Sequence, residues 1–332
     1  MGKKYDVIAL GELLIDFTES GVSKNGMKLF EQNPGGAPAN LLTAVSHMGY
    51  KTAMIGKIGS DMHGSFLKKT LEKEGICTDY IVEDDSVFTT LAFVEINENG
   101  ERHFSFARKP GADTCLSASE LNCQMIQDCR IFHFGSLSLT DEPARTATIQ
   151  AVKTAKEAGA LISFDPNYRA SLWKKERDAA EAIQSVLPYA DMLKISDEES
   201  VLLTGKTDCQ QAADELLRQG PRLVAITLGS QGVYLANHEG REEISGFPAK
   251  VVDTTGAGDS FWGGFLSRYL EYQMDMQAMS WDNWKACAKF GNATASLCVQ
   301  KRGGIPAVPM KKEVAEILYF CVYSSFPSIR NI

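Results

Sequence analysis

Val252-Asp253-Thr254-Thr255-Gly256-Ala257-Gly258-Asp259-Ser260-Phe261 is the stretch that decides how this chain is read. Beyond its two glycines, Phe261, Trp262, Phe265, Leu266, Tyr269 and Leu270 fall on one face of a 3.6-residue period, which predicts an amphipathic helix starting at the loop. In the first turn of a helix the backbone N–H groups have no intrahelical acceptor and point outward. Glycine lets the chain turn tightly and lets an anion approach those groups, and the helix macrodipole adds to the attraction. Gly256, Ala257 and Gly258 therefore read as a phosphate cradle. Asp259 does not suit a passive cradle, because a carboxylate repels a bound phosphate. It suits a phosphoryl transfer in which Asp259 takes the proton of the attacking hydroxyl. For a bare Gly-x-Gly-Asp, an acid that only caps a helix is the simpler reading.

The longer string decides between them. Asp253 to Phe261, DTTGAGDSF, closely resembles the second signature of the ribokinase-like (PfkB) carbohydrate kinases, and Pro34-Gly35-Gly36-Ala37-Pro38-Ala39-Asn40 resembles that family's first. Within the family, Phe104-Ser105-Phe106-Ala107-Arg108-Lys109-Pro110-Gly111-Ala112-Asp113 looks like the fructokinase branch. The resemblance implies an α/β fold with a central, mostly parallel sheet, helices on both faces and a small antiparallel β lid. It implies one kinase domain over 1–332, with the lid inserted from about 12–33 and 86–112. The activity it implies is ATP-dependent phosphorylation of a primary hydroxyl of a small sugar, fructose to fructose 6-phosphate, with Mg²⁺ and K⁺ as ions.

The bulk properties agree. A chain of 332 residues has room for one large α/β domain or two ordinary ones, and 44% apolar residues suffice for a sizeable core. A formal net charge of -8 argues against nucleic acid as a partner. The eight cysteines are scattered, without a Cys-x-x-Cys pair or a histidine cluster, which points to a reducing cytoplasm rather than a disulfide framework or zinc site. Glu12 and Asp16 interrupt the apolar start, Asp6 breaks the myristoylation pattern, and no apolar run is long enough to span a bilayer. The expectation is a cytoplasmic protein with no membrane partner.

Along the chain, Tyr5 to Leu10 reads as a buried first strand, and Asp16 lies just past it, where open α/β sheets place their ligands. Residues 18–34 are polar and read as loop. Pro34-Gly35-Gly36 opens a helix with Pro38 in its first turn, Leu41, Leu42, Val45 and Met48 inward, and Gly49 as the stop. This turn offers backbone N–H groups and the Asn40 amide to a neutral polyol, with no Lys or Arg to draw phosphate. Thr52–Ile58 reads as a strand and 64–74 as a helix. Phe88–Ile96 and Arg102–Arg108, joined by Asn97-Glu98-Asn99-Gly100, predict an antiparallel hairpin in the lid. From it Phe104, Phe106 and Arg108 either reach the substrate or pack the lid or a partner's lid. Strands are expected near Ile131–Phe134, Ala160–Asp165, Met192–Ser196, Leu223–Leu228 and Val233–Ala236, and helices near 142–158, 173–187, 197–204 and 208–219. Such alternation predicts a parallel sheet covered on both faces. His133 reads as a core residue, and Leu318-Tyr319-Phe320-Cys321-Val322-Tyr323 as a last core helix or an interface.

The resemblance assigns Asp16, Gly35, Gly36 and Asn40 to the sugar, with Arg169 of Asp165-Pro166-Asn167-Tyr168-Arg169, and Phe104 and Arg108 from the lid. It sets Thr227, Gly229 and Gly232 beside the nucleotide and Asn292 beside the adenine. The chain has no P-loop, so helix amides, Mg²⁺ and Lys194 or Arg169 have to supply positive charge at the cradle. Where the family has N-x-x-E this chain has Ser196-Asp197-Glu198-Glu199; Glu199 is kept and is assigned to Mg²⁺ through water, and Ser196 is a departure. Asp253 and Thr255 match the family's monovalent-cation site, and a homodimer through the lids is implied. Rival readings are a 2-keto-3-deoxygluconate kinase, a ribokinase or a nucleoside-type kinase of the same family. From other classes come a catalytically silent sugar sensor and a nicotinamide oxidoreductase, the last without its glycine fingerprint.

Overall fold

The structure is a computed structural model that describes residues 2–96 and 102–324, with side chains left out at 95–96, 102–104 and 320–324. The chain begins with β1 (Tyr5–Leu10), β2 (Leu14–Val22) and β3 (Lys28–Gly35), then α1 (Ala37–His47), β4 (Thr52–Gly59) and α2 (Met62–Lys73). Short β5 (Ile76–Cys77) and β6 (Ile81–Asp84) lead to β7 (Thr90–Ile96) and β8 (Arg102–Ala107). After α3 (Cys123–Gln127) the alternation is regular: β9 (Cys129–Gly135), α4 (Ala144–Glu157), β10 (Leu161–Asp165), α5 (Glu176–Val186), β11 (Met192–Ser196), α6 (Asp197–Thr204), α7 (Cys209–Arg218) and β12 (Leu223–Thr227). An antiparallel edge of β13 (Gly232–Asn237) and β14 (Arg241–Ser245) precedes α8 (Ala257–Tyr272), α9 (Trp281–Cys298) and α10 (Lys311–Ser324).

The large sheet has the order β14-β13-β12-β11-β10-β9-β1-β4-β5, with β6 also on β4. Its strands from β12 to β4 are parallel. Such strands are buried on both faces and read as continuous apolar runs. In β1, Val7 and Ala9 face a cluster with Trp262, Phe265 and Trp284 of α8 and α9, whereas Ile8 and Leu10 face a second with Ala147, Ile183 and Leu216 of α4, α5 and α7. The chain leaves β1 for β4 on one side and returns to β9 on the other, so the strand order reverses at β1. Ligands bind at the carboxyl edge of such a reversal. There α1 and α8 lie side by side. A Cβ on Gly263 would stand 2.6 Å from Ala44 Cβ and 2.8 Å from the Leu41 carbonyl oxygen, so only glycine permits this approach.

The second sheet runs β3-β2-β7-β8. The hairpin β7–β8 is antiparallel as expected, while its turn, Asn97 to Gly100, lies outside the described residues. Two expectations are corrected. Residues 18–34 are largely strand rather than loop: β2 and β3 pair from Leu14↔Gly35 to Val22↔Lys28. Their outer halves are solvent-facing on a thin sheet, so polar residues occur where an apolar alternation would have betrayed a strand. Within this otherwise antiparallel lid, β2 and β7 are parallel, because the chain travels through the body between them. The helix expected from residue 173 begins at Glu176. Cys77, Cys115, Cys123, Cys129, Cys209, Cys287 and Cys298 are free, and no helix among the described residues is long and apolar enough to cross a membrane. The tail forms α10, where Val314 and Leu318 pack on Phe290, which favours the core reading for the part described.

Candidate active site

Gly256 takes φ 75° as the N-cap of α8, a left-handed conformation that suits glycine, and turns Ala257, Gly258 and Asp259 into the first helical turn. Asp259 is buried at the mouth of that turn, and its Oδ2 accepts a 2.8 Å hydrogen bond from Asn40 Nδ2 of the first turn of α1. The two helices thus present their N-termini together, tied by one side-chain bond. Burial, and the nearby Asp165 carboxylate, push Asp259 up to about 6, against the opposing effects of Asn40, Lys194 and Arg169. A base of this kind is charged above pH 6. The turnover parameter kcat/KM is therefore expected to fall tenfold per unit below about pH 6, and a pH–rate profile checks this.

The cleft over this turn has a volume of about 410 Å³, and Asp16, Gly36, Asn40, Arg169, Lys194, Asp253, Thr255 and Gly256 to Asp259 all line it. Asn40 Oδ1 is a buried acceptor with no hydrogen-bond partner among the described residues, which suits a hydroxyl donor. Gly35 is buried behind the wall, where a Cβ would collide with Asp16 Oδ2; it gives the carboxylate its place and does not line the cleft. Gly36, at φ 117°, caps α1.

Lys194 belongs to this side as well. Its ammonium pairs with Asp165 at 2.9 Å and lies 2.9 Å from where a Cβ of Gly258 would be, so a cation stands beside the Gly256–Gly258 turn. Arg169 is exposed and donates to its neighbour's carbonyl, Tyr168 O, at 3.0 Å. Asp253 braces the loop: its two oxygens accept from Thr255 N at 2.7 Å and Gly303 N at 3.0 Å.

A second cavity of about 630 Å³ is lined by Thr227, Gly229, Gly232 and Asn292, the nucleotide candidates, together with apolar Phe247, Pro248, Val251, Phe261 and Val299. Asn292 Nδ2 is committed to the carbonyls of Ile244 and Ser245, both at 3.0 Å, leaving its carbonyl oxygen as the group to offer. The two cavities share Thr254, Ala257 and Gly258, so the cradle is the wall between them.

Arg108 and Glu199 sit differently from expectation. Arg108 does not line the cleft. It is buried in a network with Asp113 (2.7 Å), Thr140 Oγ1 (2.9 Å) and the Leu137 carbonyl (2.8 Å), tying the lid strand to the body. Phe104 lies on β8, its side chain outside the described part, while Phe106 lines the cleft. Glu199 is buried with both oxygens engaged by Tyr168 N (2.5 Å) and Ser196 N (2.7 Å), and Ser196 Oγ accepts from Glu199 N at 3.1 Å. Ser196 and Glu199 therefore form a capping box at the start of α6, which gives the serine a local reason.

Residues outside the candidate set also line the cleft: Glu12, Thr18, Asn33, Leu137, Asn167 and Gly303. The Gly303-Gly304 pair was a legible signal. A Cβ at Gly304 would meet Asn40 Oδ1 at 2.5 Å, so only glycine lets this loop close on the amide. His133 is a core residue, as expected, sharing Ser163 Oγ with the Trp262 indole N–H.

A helix N-terminus with an adjacent ammonium, a buried carboxylate set to take a proton, and a polar and an apolar cavity meeting over it make up the equipment of a phosphoryl-transfer enzyme. A family model described as pfkB family carbohydrate kinase matches residues 4–311. The chain is 39% identical over 321 residues to probable fructokinase-4 of Arabidopsis thaliana, spanning 96% of this chain and 98% of that one. Its fold matches fructokinase with bound ATP from Xylella fastidiosa with a TM-score of 0.88 at 31% identity, over 95% of this chain and 99% of that one. It also matches a fructokinase double mutant from Vibrio cholerae O395, in its fructose, ADP and potassium ion bound form, with a TM-score of 0.86 at 29% identity, over 96% and 100% of the two chains. The chain belongs to the pfkB family of carbohydrate kinases and is a phosphotransferase with an alcohol group as acceptor.

Proposed function

We propose that this kinase transfers the γ-phosphoryl group of ATP to the primary hydroxyl of fructose, giving fructose 6-phosphate. The observation that carries the reading is the shared wall: Ala257 and Gly258 border both the polar and the apolar cavity, with Asp259 next in the same turn. The adenine would occupy the apolar cavity and the triphosphate would run to the cradle. The sugar would lie among Asp16, Gly36, Asn40 and Arg169. Asp259 removes the proton of the attacking hydroxyl as it closes on phosphorus in line. The N–H groups of the α8 start, with Lys194, stabilise the charge building on the transferred group. Phe106 and the lid sheet shield the site from water that would otherwise hydrolyse ATP.

Mg²⁺ enters as part of the nucleotide complex. Among the described residues no group of three or more His, Cys, Asp or Glu is placed to hold a metal, and Mg²⁺ commonly keeps its waters and the substrate phosphates as ligands. Glu199, with Oε2 on the N–H of Ser196 at the start of α6 and Oε1 on the N–H of Tyr168, would act on it through water. K⁺ would be held by oxygens of the Asp253–Thr255 segment and would supply positive charge under the cradle. There the Thr255 carbonyl accepts from Cys298 Sγ at 3.7 Å, a weak donor. The lid exposes Val22, Met27, Leu29 and Phe30, an apolar surface suited to a second copy, and sedimentation of the purified protein tests that dimer.

Fructose is favoured over 2-keto-3-deoxygluconate by the relatives named fructokinase; Arg108 is already held by Asp113, so a keto-acid carboxylate would have to turn to Arg169. A coupled assay over fructose, ribose, ketodeoxygluconate and a nucleoside, with K⁺ or choline as counter-ion, is expected to give fructose the highest kcat/KM and to lose rate in choline. Higher kcat/KM on the keto-acid would overturn the substrate, and equal rates in choline would remove K⁺.

A further inference from the structure

We propose that Glu12 is a positioning residue for the transfer: its carboxylate anchors the N-terminus of α1 and so holds Asn40 against Asp259. This rests on Asp259 as the base and adds a residue that touches neither reacting atom. Glu12 stands between β1 and β2, is 3% exposed and borders the sugar cleft. Its Oε1 accepts the N–H of Ala37, the first residue of α1, at 2.9 Å. Its own carbonyl oxygen occupies the place where a Cβ of Gly36 would be. Glu12 thus grips the chain on both sides of the peptide at which the helix begins.

Most helices cap their first turn with the side chain of the N-cap residue. Here that residue is Gly36, which has none, so the cap is delivered from the end of β1. The start of α1 is thereby referenced to the central sheet rather than to its own loop. Asn40 follows within the same turn, its N–H bonded to the Gly36 carbonyl at 3.0 Å and its side chain to Asp259 at 2.8 Å. A carboxylate buried this deeply is costly unless its oxygens are bonded, and burial pushes Glu12 up to about 7 against the Ala37 N–H bond. The charged groups around Glu12 are Asp113 and Arg108; those around Asp259 are Asp165, Lys194 and Arg169. The Asn40 bond favours the charged form of Asp259, so letting Asn40 drift raises the pH at which the base becomes available.

The test is kcat/KM for fructose from pH 5 to 9 in wild type, Glu12→Ala, Glu12→Gln and Ala37→Pro. Gln keeps an oxygen that accepts from Ala37, whereas Pro at the first helical position suits the helix φ but deletes that N–H and puts its ring against the Glu12 carboxylate, so it breaks the same contact from the other side. Glu12→Ala and Ala37→Pro are expected to raise the fructose KM about tenfold and move the acidic limb about one pH unit upward. Glu12→Gln is expected to return both to within about twofold of wild type. A residue that only stabilised the fold would lower the thermal midpoint and leave the limb in place. An unmoved limb in the Ala and Pro variants overturns the proposal, and Ala37→Pro decides alone if Glu12→Ala does not fold. A wild-type profile with no acidic limb would remove Asp259 as the base and the positioning role with it, and the unsubstituted enzyme alone reveals that outcome.

Discussion

Asp259→Asn is expected to lower kcat by about 10²- to 10⁴-fold, the range for loss of a general base, with fructose still bound. Asn is isosteric, so the hydroxyl would still be held beside the cradle but would have to lose its proton unaided. The fold should not suffer. The folded carboxylate holds its proton more tightly than the unfolded one, with its pKa raised from 3.8 to about 6. Its contribution to stability is therefore full below about pH 4 and is lost as pH rises toward 6 and the buried group becomes charged. A neutral amide avoids that loss. Thermal unfolding at pH 7.5 should thus show a midpoint equal to or above wild type, while stopped-time phosphorylation assays show the collapse in rate. Wild-type turnover in this variant would remove Asp259 from the chemistry.

Arg108→Ala is expected to act on stability. The guanidinium makes its bonds to Asp113, Thr140 and Leu137 away from solvent, and Asp113 is itself held by Thr90. Removing one partner of a buried pair leaves the other charged and uncompensated, at a cost of about 3–5 kcal/mol. Arg108→Lys would keep a charge but lose the planar fork that reaches three acceptors at once, and should recover only part. Denaturant unfolding measures both. Since Leu137 and Phe106 line the sugar cleft on either side of this network, loosening it should also raise ATP hydrolysis without sugar. If Arg108→Ala retained wild-type stability and lost only sugar affinity, Arg108 would be a substrate ligand after all.

Parts of this molecule were legible because their signal is local. The loop 253–261 carries its own signal: glycines for the turn, a helical period after it and an acid that the longer DTTGAGDSF string marks as more than a cap. The alternating apolar runs from Ile131 onward could belong only to strands covered on both faces, and they do. Other parts were hidden because their signal lies in a partner. Whether Arg108 reaches a sugar or a buried aspartate depends on Asp113 and Leu137, and nothing in its own neighbours distinguishes the two. Glu12 showed only as a charge interrupting the apolar start, because the helix it caps starts twenty-five residues later. The strands of 18–34 were masked by composition, since a lid sheet with solvent on its outer part needs few apolar residues.

From sequence alone followed the class of reaction and the parallel sheet, along with the candidates for base and anion cradle, because each depends on residues adjacent in the chain or on a period within one element. Tertiary structure alone decided which cations are free to act, what starts α1 and which glycines line the cleft rather than support it. Those are questions of contact between distant segments, and burial gives the same side chain opposite roles according to what closes over it.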